Sequence, residues 1–246
     1  MQTLQDKTAF ITGASSGIGA AIARALSEAG ARVILAARTL ERVQAVAAEL
    51  PSAEALALDV RDAAAMRAAL EGREIDILIP NAGLAYGVES MIEGNPEEWS
   101  EVIDTNVKGV LHALRYGVPG MVERGSGHVV FLGSVAGRQV YPGGGVYCAS
   151  KHAVRAIYEG MRLEVQDRRI RFTTVDPAMV QTDFSRVRFR GDQARADAAY
   201  DGMTPLTPED IARAVVYAVT QPDHVNVGEM VIWSSAQAST TICQRD

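Results

Sequence analysis

The feature that most constrains the fold is the regular alternation of strand-like and helix-like segments in the first part of the chain. Apolar strand patterns alternate with alanine-rich or amphipathic helical patterns, and no two strands follow each other as a hairpin. This alternation is typical of a parallel sheet with helices on both faces, because a parallel connection needs a crossover long enough for a helix. The predicted strands are 7–11, 31–38, 53–60 and 75–80, and the predicted helices are 20–30, 39–50 and 62–71.

The same pattern continues to the end of the chain and brings the number of predicted strands to seven. A helix begins at Pro96, with Asn95 as its expected N-cap, and extends to Val118. Segment 178–205 has no regular pattern. Because no linker divides the chain, we predict a single α/β domain over residues 1–246. The later predicted strands are 128–132, 169–177 and 229–233, and the later helices are 146–166 and 208–220.

Composition and charge exclude several classes of protein. The formal net charge is −6 and no basic run stands out, so we predict no nucleic-acid partner. The apolar runs are too short to cross a bilayer and the first residues lack a signal-peptide pattern, so we predict a cytoplasmic protein without a membrane partner. Cys148 and Cys243 are expected to be free thiols. The four histidines show no metal-ligand spacing, so we predict no metal.

A glycine-rich turn, TGASSGIG, lies between the first predicted strand and its helix. It places Gly13, Gly17 and Gly19 where backbone can approach a pyrophosphate and where a helix N-terminus offers N–H donors. The spacing differs from the GxGxxG dinucleotide fingerprint. A tight turn that needs glycine only for packing is the alternative, and the position in the first strand–helix unit favours phosphate binding.

The end of the second predicted strand indicates which dinucleotide would bind. An NAD site needs a carboxylate there for the ribose 2′-hydroxyl, and no acid occurs between Ala31 and Leu40. Arg38 stands there instead, and a guanidinium matches the geometry of a 2′-phosphate. We therefore predict NADP rather than NAD, with a solvated surface arginine as the alternative. From spacing alone, Asp59 and the Asn81–Gly83 segment are weaker candidates for further cofactor contacts.

A second group of candidates surrounds the pair Tyr147 and Lys151. Their spacing of four residues in a helical segment places both side chains on one face. An adjacent ammonium favours the phenolate and lowers the pKa of a tyrosine, so the pair is a candidate proton donor and acceptor. Ser134 follows an apolar strand and should lie at its carboxyl end, where open α/β sheets bind ligands. The alternative is that a tyrosine and a lysine occur at this spacing by chance.

Taken together, these motifs resemble the short-chain dehydrogenase/reductase family across nearly the whole chain. The resemblance rests on TGASSGIG, Asp59-Val60, Asn81-Ala82-Gly83, Asn106, Ser134, Tyr147 and Lys151. It implies one Rossmann-like, doubly wound domain that binds a nicotinamide cofactor and forms a homotetramer. It also implies that Tyr147 is the general acid/base, Ser134 holds the substrate oxygen, Lys151 binds the nicotinamide ribose and lowers the tyrosine pKa, and Asn106 holds a water of the proton relay.

The resemblance further implies a set of cofactor contacts. Two residues depart from the family pattern: Pro80 replaces the first of two asparagines, and Ala178 replaces a glycine and puts a methyl group beside the expected nicotinamide pocket. The implied cofactor residues are Gly13, Ser15, Ser16, Gly17, Ile18, Gly19, Arg38, Asp59, Val60, Asn81, Ala82, Gly83, Tyr147, Lys151, Pro177, Val180 and Thr182.

Segment 178–205 is the expected substrate lid, because long irregular loops in compact domains are usually functional. Residues 75–232 look like the NADP-dependent 3-hydroxy acid dehydrogenases, a resemblance that implies a small carboxylate substrate such as serine or a short 3-hydroxy acid. The expected substrate residues are Ser134, Tyr147, Phe184, Arg186 and Arg188, and a solvated basic edge is the alternative for the arginines. A reductase of another carbonyl class (ketoacyl thioester, aldehyde or ketone) and a non-catalytic dinucleotide sensor remain alternatives.

Overall fold

The computed structural model describes residues 2–246 and contains the predicted parallel sheet. Seven strands form one sheet in the order β3-β2-β1-β4-β5-β6-β7, and every neighbouring pair is parallel. The strands are β1 (Thr8–Thr12), β2 (Arg32–Ala37), β3 (Ala53–Ala57), β4 (Ile77–Ile79), β5 (Gly127–Leu132), β6 (Ile170–Pro177) and β7 (Glu229–Ile232).

Helices connect the strands and cover both faces of the sheet, as predicted. Among them, α1 and α9 pack against each other over one face, whereas α3 and α5 pack together over the other. The helices are α1 (Gly17–Glu28), α2 (Leu40–Ala47), α3 (Ala63–Leu70), α4 (Pro96–Ile103), α5 (Gly109–Arg124), α6 (Gly145–Glu164), α7 (Asp183–Arg188), α8 (Gln193–Ala198) and α9 (Pro208–Val219).

Two apolar clusters, one on each face, form the core. Phe10 and Ile11 are neighbours on β1 and are both fully buried, but they belong to opposite clusters because successive side chains of a strand point to opposite faces. The strands are therefore buried on both sides, which explains their nearly continuous apolar sequences. None of the helices within residues 2–246 combines the length and apolarity needed to span a membrane.

The structure corrects two predicted elements. The single helix predicted from Pro96 is two helices, α4 and α5, joined by a π-helical turn at Asp104–Lys108, and α5 continues past Pro119 to Arg124. Segment 178–205, predicted to be irregular, contains the short helices α7 and α8. Both are too short to show a clear helical periodicity in the sequence.

Candidate active site

A cavity of about 560 Å³ opens at the carboxyl ends of the central strands. It lies where the chain order reverses between β1 and β4, which is the expected ligand position in a doubly wound sheet. Every predicted site residue except Asn106 lines it. These lining residues are Gly13, Ser15, Ser16, Gly17, Ile18, Gly19, Arg38, Asp59, Val60, Asn81, Ala82, Gly83, Ser134, Tyr147, Lys151, Pro177, Val180, Thr182, Phe184, Arg186 and Arg188.

The glycine turn forms one wall of this cavity. Gly13 has a φ of +66°, a conformation that L side chains rarely adopt. A Cβ atom on Gly19 would lie 2.4 Å from the Gly13 carbonyl oxygen, so the start of α1 packs directly on the turn. Ser16 precedes α1 without a side-chain cap, so the first N–H groups of the helix have no side-chain acceptor there, and Gly17, Ile18 and Gly19 line the cavity. The turn can therefore accommodate a phosphate group at a helix N-terminus.

Asn81 holds this turn in place. Its Nδ2 donates to the Thr12 carbonyl at 2.8 Å and to the Gly13 carbonyl at 3.2 Å, and its backbone N–H donates to Thr12 Oγ1 at 3.1 Å. The backbone N–H of Ala82 donates to the same hydroxyl at 3.0 Å. The end of β4 is thereby fastened to the end of β1, and these bonds are made despite the replacement of the preceding family asparagine by Pro80.

Two arginines mark the end of the cavity beyond β2. Arg38 is largely exposed, with 59% of its side chain accessible, and its Nη1 lies 3.5 Å from Glu101 Oε1. Arg42 lines the same region and lies 3.3 Å from Asp183. Both ion pairs are at the surface and are weak, so either guanidinium can turn to an anionic ligand at small cost.

Asp59 lies in this region but is engaged by a neighbour. Its carboxylate accepts from Arg61 at 2.6 Å, and this hydrogen bond holds the pKa of Asp59 below its usual range. Arg61 also reaches Glu101 at 3.2 Å, and the Tyr86 hydroxyl donates to Glu101 at 3.0 Å. Glu101 therefore connects Arg38, Arg61 and Tyr86. No sequence pattern marks Glu101, because a glutamate inside an amphipathic helix gives no local signal of such a role.

Ser134, Tyr147 and Lys151 lie together on the opposite wall. The Ser134 side chain caps a short 3₁₀ turn at Val135–Gly137, accepting from the Ala136 N–H at 3.1 Å. Lys151 is buried, and its Nζ donates to the Leu132 carbonyl at 2.8 Å and lies 5.9 Å from the centre of the Tyr147 ring. One helix, α6, positions both Tyr147 and Lys151, as predicted.

The electrostatics of this group differ from the expectation that Lys151 lowers the pKa of Tyr147. Burial raises the pKa of Tyr147 above its ordinary value, and Tyr141 adds to the increase, while the Ser134 hydroxyl and Arg188 oppose it. Burial also lowers the pKa of Lys151 to about 8, with Asp176 opposing. The physical reason is that both groups are desolvated and that the ammonium is directed at the Leu132 carbonyl rather than at the phenol.

Asn106 lies behind the cavity rather than in its lining. It is 1% exposed in the π-helical turn, where its Oδ1 accepts from the Leu84 N–H at 2.8 Å. Its Nδ2 donates to the Leu84 carbonyl at 2.8 Å and to Ser150 Oγ at 3.0 Å, and Ser150 donates to the Tyr147 carbonyl at 2.7 Å. Asn106 thus links the loop after β4 to the first turn of α6. Its relay role stays a prediction.

The family model described as short chain dehydrogenase matches residues 7–193 of the chain. This protein belongs to the short-chain dehydrogenase family. It is 43% identical to the NADP-dependent 3-hydroxy acid dehydrogenase YdfG of Salmonella typhi, covering 93% of this chain and 95% of that protein. It is 40% identical to the NADP-dependent 3-hydroxy acid dehydrogenase of Schizosaccharomyces pombe, with 96% of each chain covered. The resemblance inferred from the motifs is confirmed.

Solved structures of short-chain dehydrogenases share the fold over nearly the whole chain. The closed form of serine dehydrogenase complexed with NADP⁺ is similar with a TM-score of 0.92 and 38% identity, covering 97% of this chain and 99% of that one. The 3-ketoacyl-(acyl-carrier-protein) reductase from Brucella melitensis complexed with NADH has a TM-score of 0.85 and 25% identity, with 95% and 99% covered. The predicted Rossmann-like fold is therefore confirmed, and the chain is an oxidoreductase of this family.

The segment predicted to be the substrate lid of this short-chain dehydrogenase contains α7 and α8, and its arginines face different ways. Arg186 pairs with Asp183 at 3.4 Å, whereas Arg190 pairs with Glu89 and Glu98, each at 2.7 Å. These three ion pairs lie at the surface. The alternative of a solvated basic edge therefore describes Arg190 well, and it describes Arg186 in part, because Arg186 also lines the cavity.

Arg188, in contrast, turns towards the wall that carries Tyr147. Its Nε donates to the Gly87 carbonyl at 3.0 Å and its Nη1 donates to the Tyr141 hydroxyl at 2.9 Å. Its guanidinium carbon lies 5.9 Å from the centre of the Tyr147 ring, and the Phe184 ring lies 5.4 Å from that ring. No carboxylate within residues 2–246 pairs with it. Tyr141 was not among the predicted site residues, because no recognisable motif marks it in the sequence.

Proposed function

We propose that this chain transfers a hydride between NADP(H) and a small alcohol or carbonyl substrate, most specifically a short 3-hydroxy acid or a serine-like compound. The observation that carries the proposal is the position of Arg188, a cation without an acidic partner among the described residues, beside the ring of Tyr147. A guanidinium at this place would receive the carboxylate of a substrate whose reacting carbon lies near the phenol. The names of the relatives agree with this substrate class.

The residues of the cavity fit an NADP molecule. A Cβ atom on Gly13 would lie 2.8 Å from Ala82 Cα, so glycine lets the turn approach the end of β4, and the turn residues Gly13, Ser15, Ser16 and Gly17 line the cavity, where their backbone could receive a phosphate. Arg38 and Arg42, beyond β2, would hold the 2′-phosphate. When bound, this cofactor donates or accepts the hydride. The NADP-dependent relatives of this chain support NADP rather than NAD as its cofactor.

The chain's own residues would handle the proton. In the reducing direction the Tyr147 hydroxyl would give its proton to the carbonyl oxygen, while the Ser134 hydroxyl donates a hydrogen bond to the same oxygen. The raised pKa keeps Tyr147 protonated near neutrality, which suits a proton donor. In the oxidising direction Tyr147 must accept a proton, and the positive charge of Arg188 and the hydrogen bond with Ser134 would favour the phenolate. Lys151 would also hold the nicotinamide ribose.

A reductase of another carbonyl class remains a second candidate. Val88, Met179, Phe184 and Phe189 give the cavity apolar walls that would suit a longer acyl chain. Similarity to a 3-ketoacyl reductase structure is in line with this candidate. A non-catalytic sensor has less support, since Ser134, Tyr147 and Lys151 are assembled in one wall.

We also propose a homotetramer in the cytoplasm. The tetramer is supported by apolar side chains exposed on helices and on the edge strand, namely Leu111 on α5, Leu163 on α6 and Val231 on β7. Analytical ultracentrifugation at assay concentrations tests the assembly.

The function is tested by following the absorbance of NADPH with a panel of substrates. The panel contains serine, a short 3-hydroxy acid, malonic semialdehyde, a ketoacyl thioester and a simple aldehyde, each with NADP(H) and with NAD(H). The proposal expects the highest kcat/KM for a 3-hydroxy acid or its semialdehyde with NADP(H). A higher value for the thioester would establish the second candidate instead, and binding of NADP without turnover of any substrate would establish a sensor.

A further inference from the structure

A buried ion pair lies behind Ser134 and Lys151, outside the residues discussed so far. Asp176 is next to the last residue of β6 and is only 3% exposed. Its Oδ1 accepts from the Thr174 hydroxyl at 2.6 Å, and its Oδ2 accepts from Arg138 Nε at 2.6 Å. The buried carboxylate is therefore paired at both oxygens, as an ionised group in such a place must be.

This pair contacts the Ser134 segment on both sides. Before Ser134, a Cβ atom on Gly133 would lie 1.9 Å from Asp176 Oδ1, so the carboxylate occupies the space that this glycine leaves. After Ser134, Arg138 follows the 3₁₀ turn and returns to Asp176. The Ser134 hydroxyl itself donates to the carbonyl of Pro177, the neighbour of Asp176, at 3.4 Å. Asp176 therefore fixes the serine relative to the end of β6.

The same carboxylate acts on Lys151. Burial lowers the pKa of Lys151, and the negative charge of Asp176 opposes this decrease. Gly137 packs closely on α6, since a Cβ atom there would lie 2.7 Å from the Lys151 carbonyl oxygen, so the turn lies directly against the backbone of the lysine. The charged or titratable groups that face Lys151 are Tyr147 on its own helix and Asp176 on β6, which pairs with Arg138. Those that face Tyr147 are Tyr141, Arg188 and Cys148.

We propose that Asp176, held by Arg138, is a positioning residue of this enzyme: it fixes the turn that carries Ser134 and packs on Lys151, and it supplies a negative charge to this group. Its role rests on the proposed function, because it matters only if Ser134 and Lys151 serve the reaction. A buried ion pair adds little net stability in general, so a role in the site is a reason for one to be here.

The direct test is Asp176→Asn, which keeps the shape and removes the charge. We expect the alkaline limb of the kcat/KM profile, where Lys151 loses its proton, to move to lower pH by about one unit, since an opposite charge nearby typically shifts a pKa by roughly one to three units. Asp176→Glu, which keeps the charge, should restore most of the wild-type profile. Glu229→Gln is the matched control. It removes the other carboxylate that pairs with Arg138, but this carboxylate does not act on Lys151, so no shift is expected.

A second variant covers the case in which Asp176→Asn does not fold. Arg138→Gln leaves the Asp176 carboxylate without its cationic partner, so the negative charge acting on Lys151 is less compensated and the alkaline limb should move to higher pH, the opposite direction. Unshifted profiles in these variants, or an equal shift in Glu229→Gln, would overturn the proposal. Titration of the Lys151 ammonium by NMR in the NADP complex gives the same answer without a substrate. If the wild-type enzyme turns over no 3-hydroxy acid, the proposed function is refuted. The titration of Lys151 would then still show whether Asp176 acts on this lysine.

Discussion

The guanidinium of Arg188 lies over the ring of Tyr147, with 5.9 Å between its central carbon and the ring centre. The Tyr141 hydroxyl and the Gly87 carbonyl hold the guanidinium there. A positive charge is thus fixed beside the proposed proton donor, at the last residue of α7. This arrangement connects recognition of a carboxylate with the chemistry at Tyr147, and it gives the first prediction.

Replacing Arg188 by Gln should reduce kcat/KM for a 3-hydroxy acid roughly 30- to 300-fold, because a charge-assisted bidentate contact is lost. The methyl ester of the same acid, which has no charge, should be affected much less. Arg195→Gln is the control, since Arg195 stacks on Phe189 in the same lid outside the cavity lining. Steady-state kinetics with acid and ester decide. An equal loss for both substrates would show that Arg188 only positions Tyr147.

Replacing Ala37 by Asp and Arg38 by Ala together should reverse the cofactor preference from NADP to NAD. The new carboxylate would accept from the ribose 2′-hydroxyl, and the partner of the 2′-phosphate would be gone. Each cofactor should change by about one to three kcal/mol, roughly ten- to a hundredfold in affinity. Comparison of kcat/KM with the two cofactors measures the change. A double variant that still prefers NADP would mean that Arg42 or another residue carries the selection.

Replacing Gly19 by Ala should abolish cofactor binding, or weaken it at least tenfold, because the new methyl group would lie 2.5 Å from Asn81 Nδ2 and even closer to the Gly13 carbonyl. Gly160→Ala is a matched control in α6, where a Cβ atom meets nothing within 4 Å. It should leave binding unchanged and raise stability by roughly 0.5–1 kcal/mol. Titration of NADPH fluorescence and thermal melting test both variants. Normal binding by Gly19→Ala would mean that the turn can shift away.

Acid should destabilise the protein through His128, a buried residue of β5. Burial lowers its pKa from 6.5 to about 3, with Arg171 adding to the decrease. Because the unfolded state takes up a proton below pH 6.5 and the folded state does not, stability is lost as the pH falls from 6.5 to about 3. His128→Gln should remove a few kcal/mol of this dependence. Urea unfolding across this range measures it, and an unchanged pH slope would contradict the assignment.

Much of the fold, and the positions of many of the site residues, could be predicted from the sequence. Strand–helix alternation has a strong local signal, and so have the glycine turn and the spacing of Tyr147 and Lys151. No such local signal indicates in which direction the arginine side chains of segment 178–205 point. Arg186 and Arg188 look equivalent in an alternating segment, but in the helix α7 they are about 200° apart around the axis and point in different directions.

Contacts between distant segments were also beyond sequence reasoning. Asp176 forms an ion pair with Arg138, and Glu101 forms one with Arg38. The partners in each pair are far apart in the sequence, so no local pattern reveals these contacts. The π-helical turn that holds Asn106 is a single local departure from an α-helix and has no periodicity of its own. The raised pKa of Tyr147 depends on burial, which the spacing of two residues does not determine.

The measurement that tests the central claim most directly is the turnover of Tyr147→Phe with NADP and a 3-hydroxy acid that the wild-type enzyme oxidises. Only the phenolic hydroxyl is lost, so kcat should fall roughly 100- to 10,000-fold, the usual value of a positioned proton donor or acceptor. The dissociation constant of NADPH, measured by fluorescence on the same sample, should stay within about threefold of the wild-type value. A variant that binds NADPH normally and keeps most of the wild-type kcat would contradict the account, because the proton would then pass through another group.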